Sequence, residues 1–282
     1  MGTLLKQLSP PENFRANIFS LLALLLTTAV LYGHTLHVPF YLDDNAIFSG
    51  GYFLRDLGAA ASNLFAQRGL TNFTFALNYR LADWSLAPLH LVNIALHAGC
   101  GLMVWSLLRQ LVPGRRLPLL GALLFIAHPL QTQGVTYLAQ RSTVLAAFFF
   151  LLAFYLHLQA RKALDSGAAL PSSKHLLPYA AAILAGACAV LAKENTATLP
   201  IVLIIYDQLF SCPVKRVWQR TWVYYLPFFL VPLLLGVITL SQQTGEKVAG
   251  YSYYPLESLL HNDPLHYLVT QFSVMWSYFR LS

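Results

Sequence analysis

Charge is what this sequence has least of. Asp, Glu, Lys and Arg together make up 10% of the 282 residues, against about 25% in a soluble globular domain. So few charged groups cannot furnish an ordinary water-facing surface, which excludes a soluble globular protein. Cysteine is rare too. Cys100, Cys188 and Cys212 each fall within or at the end of an apolar run, so no disulfide framework is implied. No metal-ligand spacing is present among them. The sequence also lacks a nucleophile elbow, a Gly-rich phosphate loop and a zinc-binding helix motif. No catalytic carboxylate or Ser–Lys pair lies mid-helix, so intramembrane hydrolysis is poorly supported. No internal repeat of transporter type is visible.

What is abundant is apolar. Hydrophobic residues make up 57% of the chain and the mean hydropathy is +0.56. A membrane-spanning helix needs about 20 predominantly apolar residues. Runs of roughly that kind lie at 17–36, 89–108, 117–129, 143–158, 176–191, 196–210, 222–240 and 265–281. The expected fold is an all-α, polytopic membrane protein with about eight transmembrane helices in a single membrane domain over 1–282. The first run exceeds the apolar core of a signal peptide and no small-residue cleavage site follows it. It reads as an uncleaved helix.

The formal charge of +7 is not spread along a phosphate-tracking stripe, so nucleic acid is not an expected partner. The cations sit in short clusters between apolar runs: Lys6 and Arg15, then Arg109, Arg115 and Arg116, then Arg161, Lys162 and Lys174, then Lys215, Arg216 and Arg220. With strictly alternating helices all four clusters share one side, which is cytoplasmic by the positive-inside rule. The opposite face then collects Asp43, Asp44, His128, Gln131, Gln133, Arg141, Lys193 and Glu194. It also receives a loop at 37–88, where charges interleave with Phe, Tyr and Trp as in helices lying in the interface plane. A second loop at 241–264 is expected on the same side.

Two adjacent carboxylates at the mouth of a membrane helix are costly unless water, a cation or a reacting group meets them. Asp43 and Asp44 could also simply cap the next helix, because Asp and Asn favour N-cap positions. Arg141 and Lys193 stand where helices meet the interface. They suit either snorkelling to lipid headgroups or binding a phosphate, Arg as a planar fork and Lys as a point charge. Glu194 adjoins Lys193 and is placed to pair with it. His90, Asn93 and His97 share one helical face, and a polar stripe of that kind usually faces other helices as packing glue.

Three stretches carry a resemblance. They are FYLDDN at 40–45, HPLQTQGVTYLAQRSTVLAAFFFLLAFYL at 128–156 and LAKENTATLPIVLIIYD at 191–207, with FTFALNYRLADWSLAPLHLVNIALH inside 72–97 as a weaker fourth. The chain resembles the GT-C membrane glycosyltransferases, in the branch of the TMTC-type transmembrane O-mannosyltransferases and their bacterial relatives that carry tetratricopeptide repeats. The resemblance implies transfer of sugar, mannose in the animal branch, from a polyprenyl-phosphate donor to a hydroxyl acceptor, with inversion, outside the cytoplasm. The acceptor would be a Ser or Thr of an exported protein, or a glycan. Asp43 or Asp44 would be the general base, with Asp43 favoured. Arg141 and Lys193 would hold the donor phosphate, supported by His128, Gln133 and Glu194.

Where animal members carry an acidic residue after the His-Pro turn, this chain has Gln133, which argues against a second acidic site. No cofactor is implied, and a divalent metal has no support in the sequence. The bacterial relatives suggest an inner membrane with a cytoplasmic N-terminus and a periplasmic active face. Family members continue with further helices, so the chain reads as truncated, a fragment or a short paralogue. The rival reading is a non-catalytic membrane component that binds or helps assemble lipid-linked glycans.

Overall fold

The computed structural model describes residues 14–50, 52–165, 173–211 and 222–243, together with Phe272, Trp276 and Arg280. Met1–Gly245 forms one compact unit and Glu246–Ser282 a second. Every regular element among the described residues is helical. In chain order they are α1 (Phe14–Tyr32), α2 (Asp43–Gly50), α3 (Leu57–Ser62), α4 (Gly69–Ala82), α5 (Leu86–Leu111) and α6 (Arg116–Ala127). Then come α7 (Gln131–Thr136), α8 (Arg141–Asp165), α9 (Ser173–Ala192), α10 (Leu199–Tyr206) and α11 (Trp222–Gln243). Short 3-10 turns at Gly33–His37, Leu138–Gln140 and Glu194–Thr198 join several of them, and a π turn at Asp207–Ser211 follows α10.

Local chemistry explains these elements. In α1, Ser20 and Thr28 donate their hydroxyls to the carbonyls of Ala16 and Leu24 at 3.0 and 2.8 Å, so neither polar group faces lipid unmet. Asp56 caps α3, its Oδ1 accepting from the Gly58 and Ala59 N–H groups at 2.8 and 3.3 Å. Before α4 the chain turns sharply at Arg68, whose φ of 56° is left-handed. Gly69 follows because a Cβ there would lie 2.1 Å from the Leu64 carbonyl oxygen.

Among the described residues four apolar clusters hold the bundle, the smallest made of Leu145, Ala146 and Ala192. Leu24 and Tyr32 of α1 pack with Ile94 of α5 and with Ala122 and Ile126 of α6. Ala153 of α8, Ala182 and Ala185 of α9, Leu199 and Leu203 of α10 and Phe228 of α11 form another. Alanines at these positions let helix backbones approach closely, as membrane helices require in place of a water-driven hydrophobic effect. The third lies beneath the 37–88 segment, where Phe48, Leu54 and Phe75 meet Leu89 and Leu138. Outward-facing Phe19, Leu22, Leu26 and Val30 of α1 are exposed, the surface a lipid-facing helix presents.

Among the described residues three helices are long and apolar enough to cross a membrane: Phe14–His37, Leu86–Leu111 and Leu138–Lys162. Arg116–Ala127, Leu176–Ala192 and Tyr224–Ile238 are apolar but shorter. The physical reason is interruption. The 12 residues of α6 rise about 18 Å, short of the roughly 30 Å hydrocarbon core. The run expected at 196–210 is divided between a 3-10 turn, the eight residues of α10 and the π turn. The loop expected at 37–88 is occupied by α2, α3 and α4. The loop expected at 241–264 begins within α11, and the rest of it lies outside the described residues, as do the run at 265–281 apart from Phe272, Trp276 and Arg280, and the cations Lys6, Lys215, Arg216 and Arg220.

Candidate active site at the head of α8

The acidic motif is placed by what surrounds it. After α1 the chain runs extended through Val38, whose carbonyl meets His90 Nε2 of α5 at 2.9 Å. It turns at Leu42 with a φ of 49° and starts α2 at Asp43. The two carboxylates then part company. Asp43 is exposed, and its N–H donates to the Tyr137 hydroxyl at 2.9 Å. Asp44 is 1% exposed, and its Oδ1 accepts the Ala139 N–H at 2.7 Å. Asp44 therefore caps the 3-10 turn Leu138–Gln140 across the fold. Its Oδ2 is buried without a hydrogen-bond partner among the described residues. Burial raises the Asp44 carboxyl above the usual carboxylate range, against the opposing pull of the Ala139, Tyr41 and Leu138 amides and of His90.

Arg141 begins α8 two residues after that cap, and it is fully buried. Its Nε donates to Asn93 Oδ1 at 2.9 Å, one Nη to Asn78 Oδ1 at 2.7 Å and to the Thr74 carbonyl at 3.4 Å, and the other Nη to the Leu89 carbonyl at 2.8 Å. The guanidinium also lies 4.1 Å from the Phe75 ring centroid. Sequence placed Arg141 at a lipid headgroup or a donor phosphate. The fold instead seals it among protein acceptors, with no face open to either.

Lys193 stands where α9 gives way to the 3-10 turn Glu194–Thr198, and its Nζ donates to Thr143 Oγ1 of α8 at 2.7 Å. Arg68 lies 3.8 Å from Glu194, with both side chains partly solvated. Burial, then the Arg68 charge, hold the Lys193 ammonium below the usual lysine range, while Glu194 pulls it back up. The Thr71 hydroxyl ties α4 to the end of α9 through the Ala192 carbonyl at 3.1 Å. Asp44, Arg141 and Lys193 are thus all fastened at residues 139–143, and Glu194, next to Lys193, faces Arg68. His128 and Gln133 are exposed and bond locally: His128 Nδ1 accepts from the Leu130 N–H at 3.2 Å, and the Gln133 carbonyl from the Tyr137 N–H at 3.2 Å.

The α5 stripe is the spine of this arrangement. His90 holds Val38, Asn93 Nδ2 donates to the Val135 carbonyl at 3.3 Å, and His97 meets the Ile126 carbonyl at 3.3 Å. Each of the three meets a backbone carbonyl of a neighbouring segment, which is packing glue in the strict sense.

Curated relatives match part of this chain. Mouse protein O-mannosyl-transferase TMTC1 is 32% identical over 175 residues, covering 61% of this chain and 18% of the mouse protein. Human protein O-mannosyl-transferase TMTC4 is 34% identical over 158 residues, covering 51% of this chain and 21% of the human one. Drosophila melanogaster Tmtc2, a protein O-mannosyl-transferase by name, is 30% identical over 199 residues, covering 63% and 20%. The chain is a relative of the TMTC proteins. Its matched part spans about a fifth of the length of those curated relatives. No protein-family model and no solved structure matches it.

Several residues of this TMTC relative escaped sequence reasoning. Arg68, Thr143, Tyr137 and Asn78 are ordinary polar or aromatic residues in sequence, and their partners lie far along the chain. A second polar cluster escaped as well. Asp207, fully buried, takes contacts on one carboxylate oxygen from His157 Nε2 at 3.2 Å, from Arg161 Nε at 3.4 Å and from the Tyr225 hydroxyl. His157 and Arg161 lie 16 and 20 residues beyond Arg141 on α8, about 24 and 30 Å along a helix. This cluster therefore sits toward the other end of α8 from Asp44. Its one sequence signal is an Asp directly after the apolar run of α10.

Proposed function

We propose that the chain is the membrane-embedded catalytic part of a GT-C type glycosyltransferase that moves a sugar from a polyprenyl-phosphate donor to a hydroxyl acceptor. The TMTC names of its relatives favour mannose as the sugar and a protein Ser or Thr as the acceptor. The observation that carries this reading is the division of the acidic pair. Asp43 is solvent-facing while its neighbour Asp44 is buried and locked to Ala139.

A general base must come within hydrogen-bond reach of the proton it removes. Asp43 is open to an incoming hydroxyl, and Asp44 as placed is not. Asp43 takes the hydroxyl proton, the hydroxyl oxygen attacks the anomeric carbon, and the bond from that carbon to the phosphate oxygen breaks with inversion. The electron pair leaves with the polyprenyl phosphate. Lys193 and Arg68, partly accessible cations near the head of α8, hold the developing charge. Glu194 keeps Arg68 in place, and His128 and Gln133 line the exposed connection before α8. The active face is extracytoplasmic with a cytoplasmic N-terminus, in a bacterial inner membrane.

A transfer assay in membranes tests this, with a panel of radiolabelled polyprenyl-phosphate sugars and matched amounts of wild type and the Asp43→Asn/Asp44→Asn double variant. Sugar transferred by wild type alone supports the reading and names the donor. Carrier bound without turnover would replace it with the non-catalytic glycan-assembly role.

A further inference from the structure

We infer that Arg141 is a positioning residue for the acidic pair, acting from inside the protein rather than on a substrate phosphate. The inference rests on the proposed role of Asp43 and Asp44. Among the described residues Arg141 is the largest fully buried side chain. Its bonds go to two helices only: to Thr74 and Asn78 of α4, and to Leu89 and Asn93 of α5. A phosphate could reach it only by displacing these acceptors and the Phe75 ring.

What Arg141 fixes is the segment just before it. The turn Leu138–Gln140 is held on its C-terminal side by the Arg141 fork and on its N-terminal side by the Asn93 bond to Val135. That turn supplies the Ala139 N–H to Asp44, and Tyr137, at its head, supplies the hydroxyl that receives the Asp43 N–H. Asn93 serves both bonds at once, its amide nitrogen toward Val135 and its amide oxygen toward Arg141. The guanidinium is planar with donors fixed in a fork, which suits four acceptors on two helices. An ammonium, a single compact charge with three donors, cannot span them. The path from Arg141 along the backbone of the turn to Asp44 and Asp43 is continuous, through the Ala139 and Tyr137 hydrogen bonds.

The test separates positioning from phosphate binding by splitting kcat from the donor KM. Arg141→Lys, Arg141→Met and the milder Asn78→Leu are assayed in membranes at matched amounts, with a polyprenyl-phosphate mannose titration at saturating acceptor. Positioning gives a kcat loss on the order of 100-fold for both Arg141 variants, the scale of a small misplacement of reacting groups. The donor KM stays within about twofold, and Lys does not rescue. Asn78→Leu, which keeps the arginine, shows a smaller kcat loss at unchanged donor KM. A raised donor KM with kcat retained, recovered by Lys, would overturn the inference, and so would wild-type kcat in Asn78→Leu and Arg141→Lys. Should the Arg141 variants not accumulate, Asn78→Leu decides alone. Full transfer by the Asp43→Asn/Asp44→Asn variant would instead sink the proposed function, whatever Arg141 does.

Discussion

Asp44 and Ala139 are 95 positions apart in the chain and joined by a 2.7 Å hydrogen bond from the Ala139 amide to Asp44 Oδ1. This bond closes the acidic motif onto the head of α8, and it separates two roles within one dipeptide. Asp44→Asn keeps a carbonyl-type oxygen for the Ala139 amide and removes a buried charge. Asp44→Ala leaves that amide without its acceptor, a loss of about 1–3 kcal/mol. The alanine variant should unfold at lower temperature in detergent than the asparagine variant.

The same burial gives a pH signature. The folded-state pKa of Asp44 is raised, so near the ordinary carboxylate range the folded protein binds a proton that the unfolded chain has released. The contribution of Asp44 to stability is therefore fully present below the unfolded pKa and is lost as pH rises through the folded one. Asp44→Asn lacks this decline. Melting temperatures of the two proteins, measured from about pH 4 upward across the carboxylate range, should show the gain of Asn over Asp growing with pH and then levelling.

Arg68 acts on Lys193 by charge. Removing it in Arg68→Gln takes away one cause of the depressed Lys193 pKa while Glu194 remains. The alkaline limit of donor binding should move to higher pH, and binding below that limit should weaken because one cation is gone. A donor KM profile from neutral to alkaline pH checks both directions.

The Asp207 cluster should behave as a buried ion network remote from the chemistry. Asp207→Asn alone leaves Arg161 buried without its counter-charge, a change of about 3–5 kcal/mol in comparable cases. Combining it with Arg161→Met removes both charges and should recover much of that loss. A double-mutant cycle of melting temperatures measures the coupling, and strict additivity would mean the pair does not interact.

How much of this was readable in sequence follows from range. The all-helical membrane character rests on runs of contiguous residues, which sequence displays directly. The length of an individual helix was not readable, because a run such as 196–210 gives no sign that a 3-10 turn and a π turn at Asp207 will shorten its helix. The acidic pair stood out, yet nothing in two adjacent aspartates says which will be buried, since that depends on Ala139. Arg141 was the furthest from legible. Its position at the start of an apolar run suggested an interface, while its partners Asn93 and Asn78 lie 48 and 63 positions away. The His90, Asn93 and His97 stripe was legible because its members lie within three turns of one helix.

The division of labour between the two aspartates is tested most directly by the single variants in one transfer assay. Asp43→Asn and Asp44→Asn are compared with wild type at matched amounts in membranes, using the donor that wild type accepts. Asp43→Asn should lose transfer, by at least the 100- to 10,000-fold typical of a missing general base. Asp44→Asn, which retains the Ala139 bond, should keep a measurable share. Transfer at the wild-type rate by Asp43→Asn would contradict the assignment, and loss confined to Asp44→Asn would reverse it.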